Sequence, residues 1–230
     1  SDPALEGRLP IGYGGRLYGV YPATVADVND PDGQGRVRVE LPWAPDDDGF
    51  EAWARLATLM AGNDRGSWFV PDVGDEVLVI FEAGDPRRPY VIGALWNGSD
   101  APPEQMDSAG NNDVKKLKSR NGVTITLDDT QGTEKLVLET PGGQKVELTD
   151  GPGKIELADS NGNTVSLESS GVTVMSSGTV SVQASSVDIS AGTVSVNAGM
   201  ATFSGVVQAS TLIATSVVGT TYTPGAGNIW

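Results

Sequence analysis

The chain has 230 residues, a formal net charge of −15, and neither Cys nor His. That composition excludes disulfides, thiolate metal sites and histidine acid–base chemistry, and the negative charge disfavours nucleic acid and anionic membrane surfaces as partners. The 30 Gly and 14 Pro, with few helix-forming segments, predict an all-β protein.

Residues 15–98 alternate apolar and polar positions in segments typical of β-strands. In the segment GRVRVELPW (35–43), the side chains of Val37 and Val39 share one face. The near-continuous apolar run in 74–85 predicts a strand buried on both faces, whereas 52–60 fits either a strand or a short helix. About five such strands predict a small barrel of the OB type, preceded by an N-terminal arm at 1–14.

Residues 99–119 carry Pro, Gly, Asn and charge without periodicity, which predicts a linker. From Arg120 onward, pairs of apolar residues two positions apart recur, about ten residues apart at first and seven or eight apart later. This repeat predicts a solenoid or fibre over 120–219, followed by a C-terminal tip at 220–230. The repeating pairs are Val123/Ile125, Leu136/Leu138, Val146/Leu148, Ile155/Leu157, Val165/Leu167, Val172/Val174, Val180/Val182, Val187/Ile189, Val194/Val196 and Ala201/Phe203.

One apolar pair per strand is too little to build a core inside one short sheet. Two arrangements remain open: a single chain that winds into a three-sided β-helix, or three chains that wrap round one axis and each supply one side. The small, β-branched pairs suit a narrow shared core, and strands that pair with those of the other chains leave no long edge exposed. The intertwined trimer is therefore favoured, and about ten stacked strands at ~4.7 Å give a needle on the order of 50 Å long.

The most specific segment is WFVPDVGDEVLVIFEAGDPRRPYVIGALWNG (68–98). It resembles the OB-domain signature of the baseplate spike family: the spikes of contractile phage tails, the VgrG proteins of type VI secretion and related extracellular injection systems. The segments 26–43 and 121–150 resemble the same family's second strand-turn-strand and its triple-stranded β-helix. The signature residues expected to have structural roles are Pro71, Gly74, Asp75, Gly84, Asp85, Pro86, Arg88, Gly93 and Trp96.

The resemblance implies a homotrimer in which an N-terminal OB-fold barrel is followed by an intertwined trimeric triple-stranded β-helix. It implies a central spike at the tip of an inner tube, in a virion or an extracellular injection particle, made in the cytoplasm without a signal peptide. Its implied partners are a baseplate hub protein at the OB end and a PAAR-type tip protein at the C-terminal end. The target membrane is met only by mechanical penetration, and nucleic acid is not a partner. The residues expected to dock the tip protein are Tyr222, Pro224, Asn228, Ile229 and Trp230.

No enzyme activity, metal or cofactor is expected. Some family members carry a lysozyme domain where this chain has only 99–119, others carry a fused hub domain, and some phage spikes bind iron through histidines, which this chain lacks. The alternative function is a trimeric β-helical carbohydrate-binding fibre or depolymerase. That function requires aromatic platforms, yet after Trp96 the aromatic residues are Phe203, Tyr222 and Trp230. The sequence also predicts no basic–aromatic groove of the kind that binds nucleic acid.

Overall fold

The computed structural model describes residues 15–42, 44, 50–221 and 223. Over these residues the protein is all-β apart from a single 3-10 turn at Glu82–Gly84. In this described part, no helix has the length and apolar character needed to cross a membrane. The chain divides into two units between Thr179 and Val180.

The first part of the chain is a closed barrel whose five strands lie in the order β1 (Tyr21–Asp27), β2 (Val37–Leu41), β3 (Phe50–Leu56), β7 (Pro89–Ala94) and β6 (Glu76–Phe81). All of its neighbouring strands are antiparallel except β3 and β7, which run parallel. This arrangement is the OB-type barrel predicted from the strand count. A small hairpin of β4 (Ala61–Gly62) and β5 (Arg65–Gly66) lies between β3 and β6 along the chain.

Alternation along each strand builds the barrel core. Val37 and Val39 are fully buried on one face of β2, as predicted. In β6, however, only alternate side chains enter the core, while Leu78 and Ile80 on its other face are half-buried, so the prediction of burial on both faces is wrong. A strand of a closed barrel has only one face turned to the interior. The core comprises Leu17, Tyr21, Ala23, Val25, Val37, Val39, Leu41, Ala54, Val77, Val79, Phe81 and Val91.

A seven-stranded antiparallel sheet follows the barrel, and each of its strands lies beside the next one along the chain. Its first strand falls inside the segment 99–119, so the last part of the predicted linker is sheet. The strands are β8 (Val114–Lys118), β9 (Thr124–Asp128), β10 (Lys135–Glu139), β11 (Lys145–Thr149), β12 (Lys154–Ala158), β13 (Thr164–Glu168) and β14 (Gly171–Met175).

The pairing within this sheet corrects one expectation. Strands β8 to β14 pair with their neighbours in the same chain, so the prediction that every needle strand pairs with other chains is wrong for 114–175. A repeat of about ten residues is long enough for a five-residue strand and a reversing turn. Gly122, Gly143 and Gly162 provide left-handed backbone in three of these turns, with φ of +90°, +85° and +83°.

Beyond the sheet, the described residues 180–221 form no strand ladder within one chain. Their apolar side chains are exposed: Val182, Ile189 and Val196 keep 74%, 72% and 73% of their surface. A repeat of seven residues can hold a five-residue strand and a two-residue turn, as between β13 and β14, so the repeat length by itself does not explain the missing ladder. Pairing of these residues with other chains therefore stays a prediction.

Candidate functional site

One face of the seven-stranded sheet carries two parallel rows of apolar side chains. Cross-strand partners place a member of each row on successive strands, so the rows run across the sheet from strand to strand. The first row is Leu117, Ile125, Leu138, Val146, Leu157, Val165 and Val174. The second is Leu127, Leu136, Leu148, Ile155, Leu167 and Val172, with Lys115 at its β8 end.

This apolar face is uncovered in a single chain. Ile125, Leu157 and Val172 keep 39%, 45% and 68% of their surface exposed. Members of the first row also line an open groove of about 640 Å³. A continuous apolar face of this extent marks an interaction surface in a protein that is soluble in water.

The sequence analysis located most of this face but assigned one pair wrongly. The pair in β9 is Ile125/Leu127, because Val123 precedes the strand. The first-row residue Leu117 was missed, since β8 lay in the predicted linker and its other residues are mostly lysines. The remaining pairs up to Val172/Val174 lie on this face as predicted.

The opposite face of the sheet is charged. The Nζ of Lys145 lies 3.1 Å from a carboxylate oxygen of Glu147 and 3.9 Å from one of Glu156, and Lys154 also pairs with Glu156. The hydrogen bond from Lys145 is the main reason that the pKa of Glu147 is lowered. A sheet with one charged and one apolar face is suited to turn its charges to water and its apolar rows to a partner.

The first signature turn leads into β6. Gly74 has φ of +97°, and its N–H donates to the carbonyl of Val25 at 2.8 Å, while the Val25 N–H donates to the carbonyl of Asp75 at 3.0 Å. The Asp75 carboxylate accepts a hydrogen bond from the Asp72 N–H at 2.8 Å. Pro71 is half-buried immediately before this turn. The turn is thereby joined to β1, which fixes where β6 enters the barrel.

A salt bridge ties the same turn to the sheet. A guanidinium nitrogen of Arg120, in the turn between β8 and β9, lies 2.7 Å from a carboxylate oxygen of Asp72. Because both groups are exposed, the pair adds little stability.

The second signature turn follows β6. Gly84 is buried with φ of +76°, and its carbonyl accepts the Leu17 N–H at 2.8 Å. The Asp85 carboxylate accepts the Arg87 backbone N–H at 3.0 Å and two guanidinium N–H groups of Arg87 at 3.0 and 2.9 Å. These hydrogen bonds, led by those from the Arg87 side chain, lower the pKa of Asp85 to about 2. The side chain of Arg88 instead lies 3.6 Å from Glu82.

The other signature residues lie around these turns. Pro86 is half-buried in the second turn, and Gly93 pairs with Leu78 beside a register shift between β6 and β7. Trp96 is 69% exposed and lines, with Pro102 and other residues, a cleft of about 460 Å³ at the beginning of the sheet. The predicted docking residues Tyr222, Pro224, Asn228, Ile229 and Trp230 lie outside the described residues.

A group of side chains on the barrel contradicts the expected absence of a basic–aromatic groove. Arg36 lies over the ring of Trp53, and Arg55 lies over the ring of Tyr90. These residues come from separate parts of the sequence, and only the closure of the barrel brings them together. The only sequence signal was the alternation of Arg with Trp and Tyr in the segments around them.

Two protein-family models match the chain. The Type VI secretion system/phage-baseplate injector OB domain matches residues 21–96, which contain the barrel. The phage baseplate V C-terminal trimerisation domain matches residues 135–202, which contain most of the sheet and the beginning of the region after it. The second match supports a homotrimer.

Several curated proteins similar to this chain are spike proteins of type VI secretion systems. VgrG1b of Pseudomonas aeruginosa is 31% identical over 126 residues, which are 51% of this chain and 17% of that protein. VgrG3 of Vibrio cholerae is 28% identical over 127 residues, 50% of this chain and 12% of that protein. The actin cross-linking toxin VgrG1 of Vibrio cholerae has the same identity and coverage. The chain thus spans less than a fifth of the length of these relatives.

Proposed function

The chain belongs to the baseplate spike family of contractile injection systems, and on that premise we propose that it is the central spike of such a machine. The observation that carries the proposal is the order of its parts: an injector OB barrel comes first, and a sheet with an uncovered apolar face follows within a trimerisation-domain match. In the proposed particle the spike lies at the tip of the inner tube.

The proposed trimer covers the apolar face. Three sheets that turn their two apolar rows toward one axis form a narrow dry core, while the lysines and glutamates of the opposite face stay in water. Residues 180–221 then continue as the intertwined needle, each chain pairing with the other two. Such pairing would satisfy backbone groups that form no ladder within one chain.

The proposed mechanism is mechanical. Force on the tube drives the needle into the target envelope, and the function requires stiffness and a narrow tip instead of bond chemistry. The proposed neighbours are a hub protein at the barrel and a PAAR-type tip protein at the C-terminal end, docked through the residues around Tyr222 and Trp230. The target membrane is a partner only through penetration.

The first experiment measures the mass of the native particle by light scattering, with an unheated detergent gel beside it. A mass of about three chains and a band that resists detergent until boiled are expected. A clean monomer would contradict the trimer and remove the physical basis for piercing.

A second experiment separates a spike from a carbohydrate-binding fibre, which would also be trimeric. Gold-labelled antibodies against this chain are applied to particles from the producing strain and viewed by electron microscopy. One label site at the tube tip is expected. Labels on lateral fibres, or turnover of bacterial polysaccharides by the purified protein, would support the fibre or depolymerase instead.

A further inference from the structure

A cleft of about 180 Å³ on the barrel collects arginines and aromatic rings. The loop between β1 and β2 contributes Arg36, strand β3 contributes Trp53 and Arg55, and the chain from the second signature turn into β7 contributes Arg87, Arg88 and Tyr90. In other OB-type barrels the face formed by strands two and three, with the loops after strands one and four, binds ligands. The cleft occupies that place.

The cleft is unusual in charge for this protein. Its lining has four of the nine arginines of a chain whose net charge is −15, and one carboxylate, that of Glu82, which accepts a hydrogen bond from the Tyr90 hydroxyl at 2.9 Å. The guanidinium carbon of Arg36 lies 5.7 Å from the ring centroid of Trp53, and that of Arg55 lies 5.5 Å from the ring centroid of Tyr90. Stacking on a ring orients a guanidinium group and leaves its N–H edge available for an acceptor.

The arginines of the cleft differ in how fully their guanidinium N–H groups are already paired with carboxylates. Arg36 is held by Asp30 and Asp32, and its side chain is only 19% exposed, so it supports the wall of the cleft. Arg88 is 64% exposed and only 3.6 Å from Glu82, a loose pair. Among the described residues, no carboxylate lies within ion-pair distance of Arg55. Since a guanidinium carries five N–H donors, Arg55 and Arg88 keep donors for a ligand.

The geometry indicates a carboxylate as the ligand group. The neighbouring Arg87 already holds the Asp85 carboxylate through two guanidinium nitrogens, which is the fork geometry that suits carboxylates. A nucleic-acid strand would bring many charges into the field of a protein with net charge −15, whereas an acidic side chain brings one or two. The half-buried rings of Trp53 and Tyr90 offer apolar area for the peptide on either side.

We propose that this cleft binds an acidic segment of a partner polypeptide, with a Glu or Asp side chain of that segment held by Arg55 and Arg88. The inference goes beyond the proposed function, because piercing requires no anion site. The partner chain lies along the outer face of β3 and the second signature turn, and its binding weakens as salt concentration rises.

The test uses the full chain and three fluorescent probes: a hexapeptide of two Glu flanked on each side by two Gln, hexaglutamine and a six-residue oligothymidylate. Fluorescence anisotropy is measured at low salt for the unmodified protein, for Arg55→Gln/Arg88→Gln, and for the matched control Arg120→Gln, whose arginine is exposed outside the cleft. Light scattering checks that the variants keep the native mass. The single variant Arg88→Gln serves if the double variant fails to fold.

The two-Glu hexapeptide is expected to bind the unmodified protein and the Arg120→Gln control equally. It is expected to bind the double variant at least about tenfold more weakly, which corresponds to the loss of one charge-assisted hydrogen bond. Equal binding to the double variant, no binding at all, or equal binding of hexaglutamine would overturn the proposal. Tighter binding of the oligothymidylate would overturn it in favour of a nucleic-acid groove. None of these outcomes depends on whether the protein forms a spike.

Discussion

Truncation of Leu157 to Ala tests whether the apolar face of the sheet is the trimer interface. Leu157 keeps 45% of its surface exposed in one chain. Full burial of a Leu side chain contributes about 1.5–3 kcal/mol, so covering the exposed part contributes about 0.7–1.4 kcal/mol per copy. Three copies give about 2–4 kcal/mol per trimer, which is a factor of roughly 30 to 1,000 in the dissociation constant.

The assay is dissociation in guanidinium chloride, followed by light scattering over a series of protein concentrations. The Leu157→Ala trimer is expected to dissociate at a lower denaturant concentration than the unmodified protein. Ser166→Ala is the matched control, because Ser166 lies on the adjacent strand with its side chain on the opposite face, across from Glu156. If both variants dissociate at the same concentration as the unmodified trimer, the apolar face is not the interface and the reasoning fails.

Three further predictions concern the needle and the barrel. Backbone amides of 180–221 are expected to exchange slowly with deuterated water in the trimer, although they form no ladder within one chain; exchange within seconds would contradict an intertwined needle. Gly84→Ala is expected to lower the free energy of unfolding by about 1–3 kcal/mol in a denaturant titration. The reason is that φ is +76° and the new Cβ would lie 3.0 Å from Cε1 of Tyr18; an unchanged midpoint would refute this. Asp30→Asn is expected to lower the melting temperature at pH 7, because hydrogen bonds from the Arg36 side chain, opposed by desolvation, hold the pKa of Asp30 well below its usual range. A lowered pKa stabilises the fold at pH values above about 4, the pKa of the carboxyl in the unfolded chain, and this contribution is lost as the pH falls toward the folded pKa. The melting temperatures of Asp30→Asn and the unmodified protein should therefore converge in acid, and a constant difference down to pH 2 would count against this role.

The barrel was largely predictable because its signals are local. The alternation around Val37 and Val39 gave β2 and its buried face, and the glycines at 74 and 84 marked the turns at both ends of β6. The burial of β6 was overestimated, since a continuous apolar run does not reveal whether the second face is covered. Coverage depends on neighbours that are distant in sequence.

The strand partners in the repeat of apolar pairs after Arg120 could not be predicted from the sequence. A strand with an apolar pair looks the same whether its partner is the next strand of its own chain or a strand of another chain. Over 114–175 each strand pairs with the next strand of its own chain. For 180–221 one chain forms no ladder, and pairing with other chains stays a prediction.

By itself, the sequence determined the all-β class, the strand faces and the signature turns, because each depends on period-two alternation or on a glycine that adopts positive φ. Only the tertiary structure decided the in-chain order of the sheet, the two apolar rows that cross seven and six of its strands, and the cleft in which Arg36, Arg55 and Arg88 meet Trp53 and Tyr90. The physical reason is that strand register and barrel closure bring together residues far apart in the chain, such as Arg36 and Tyr90, which are 54 positions apart, and no local pattern encodes that proximity.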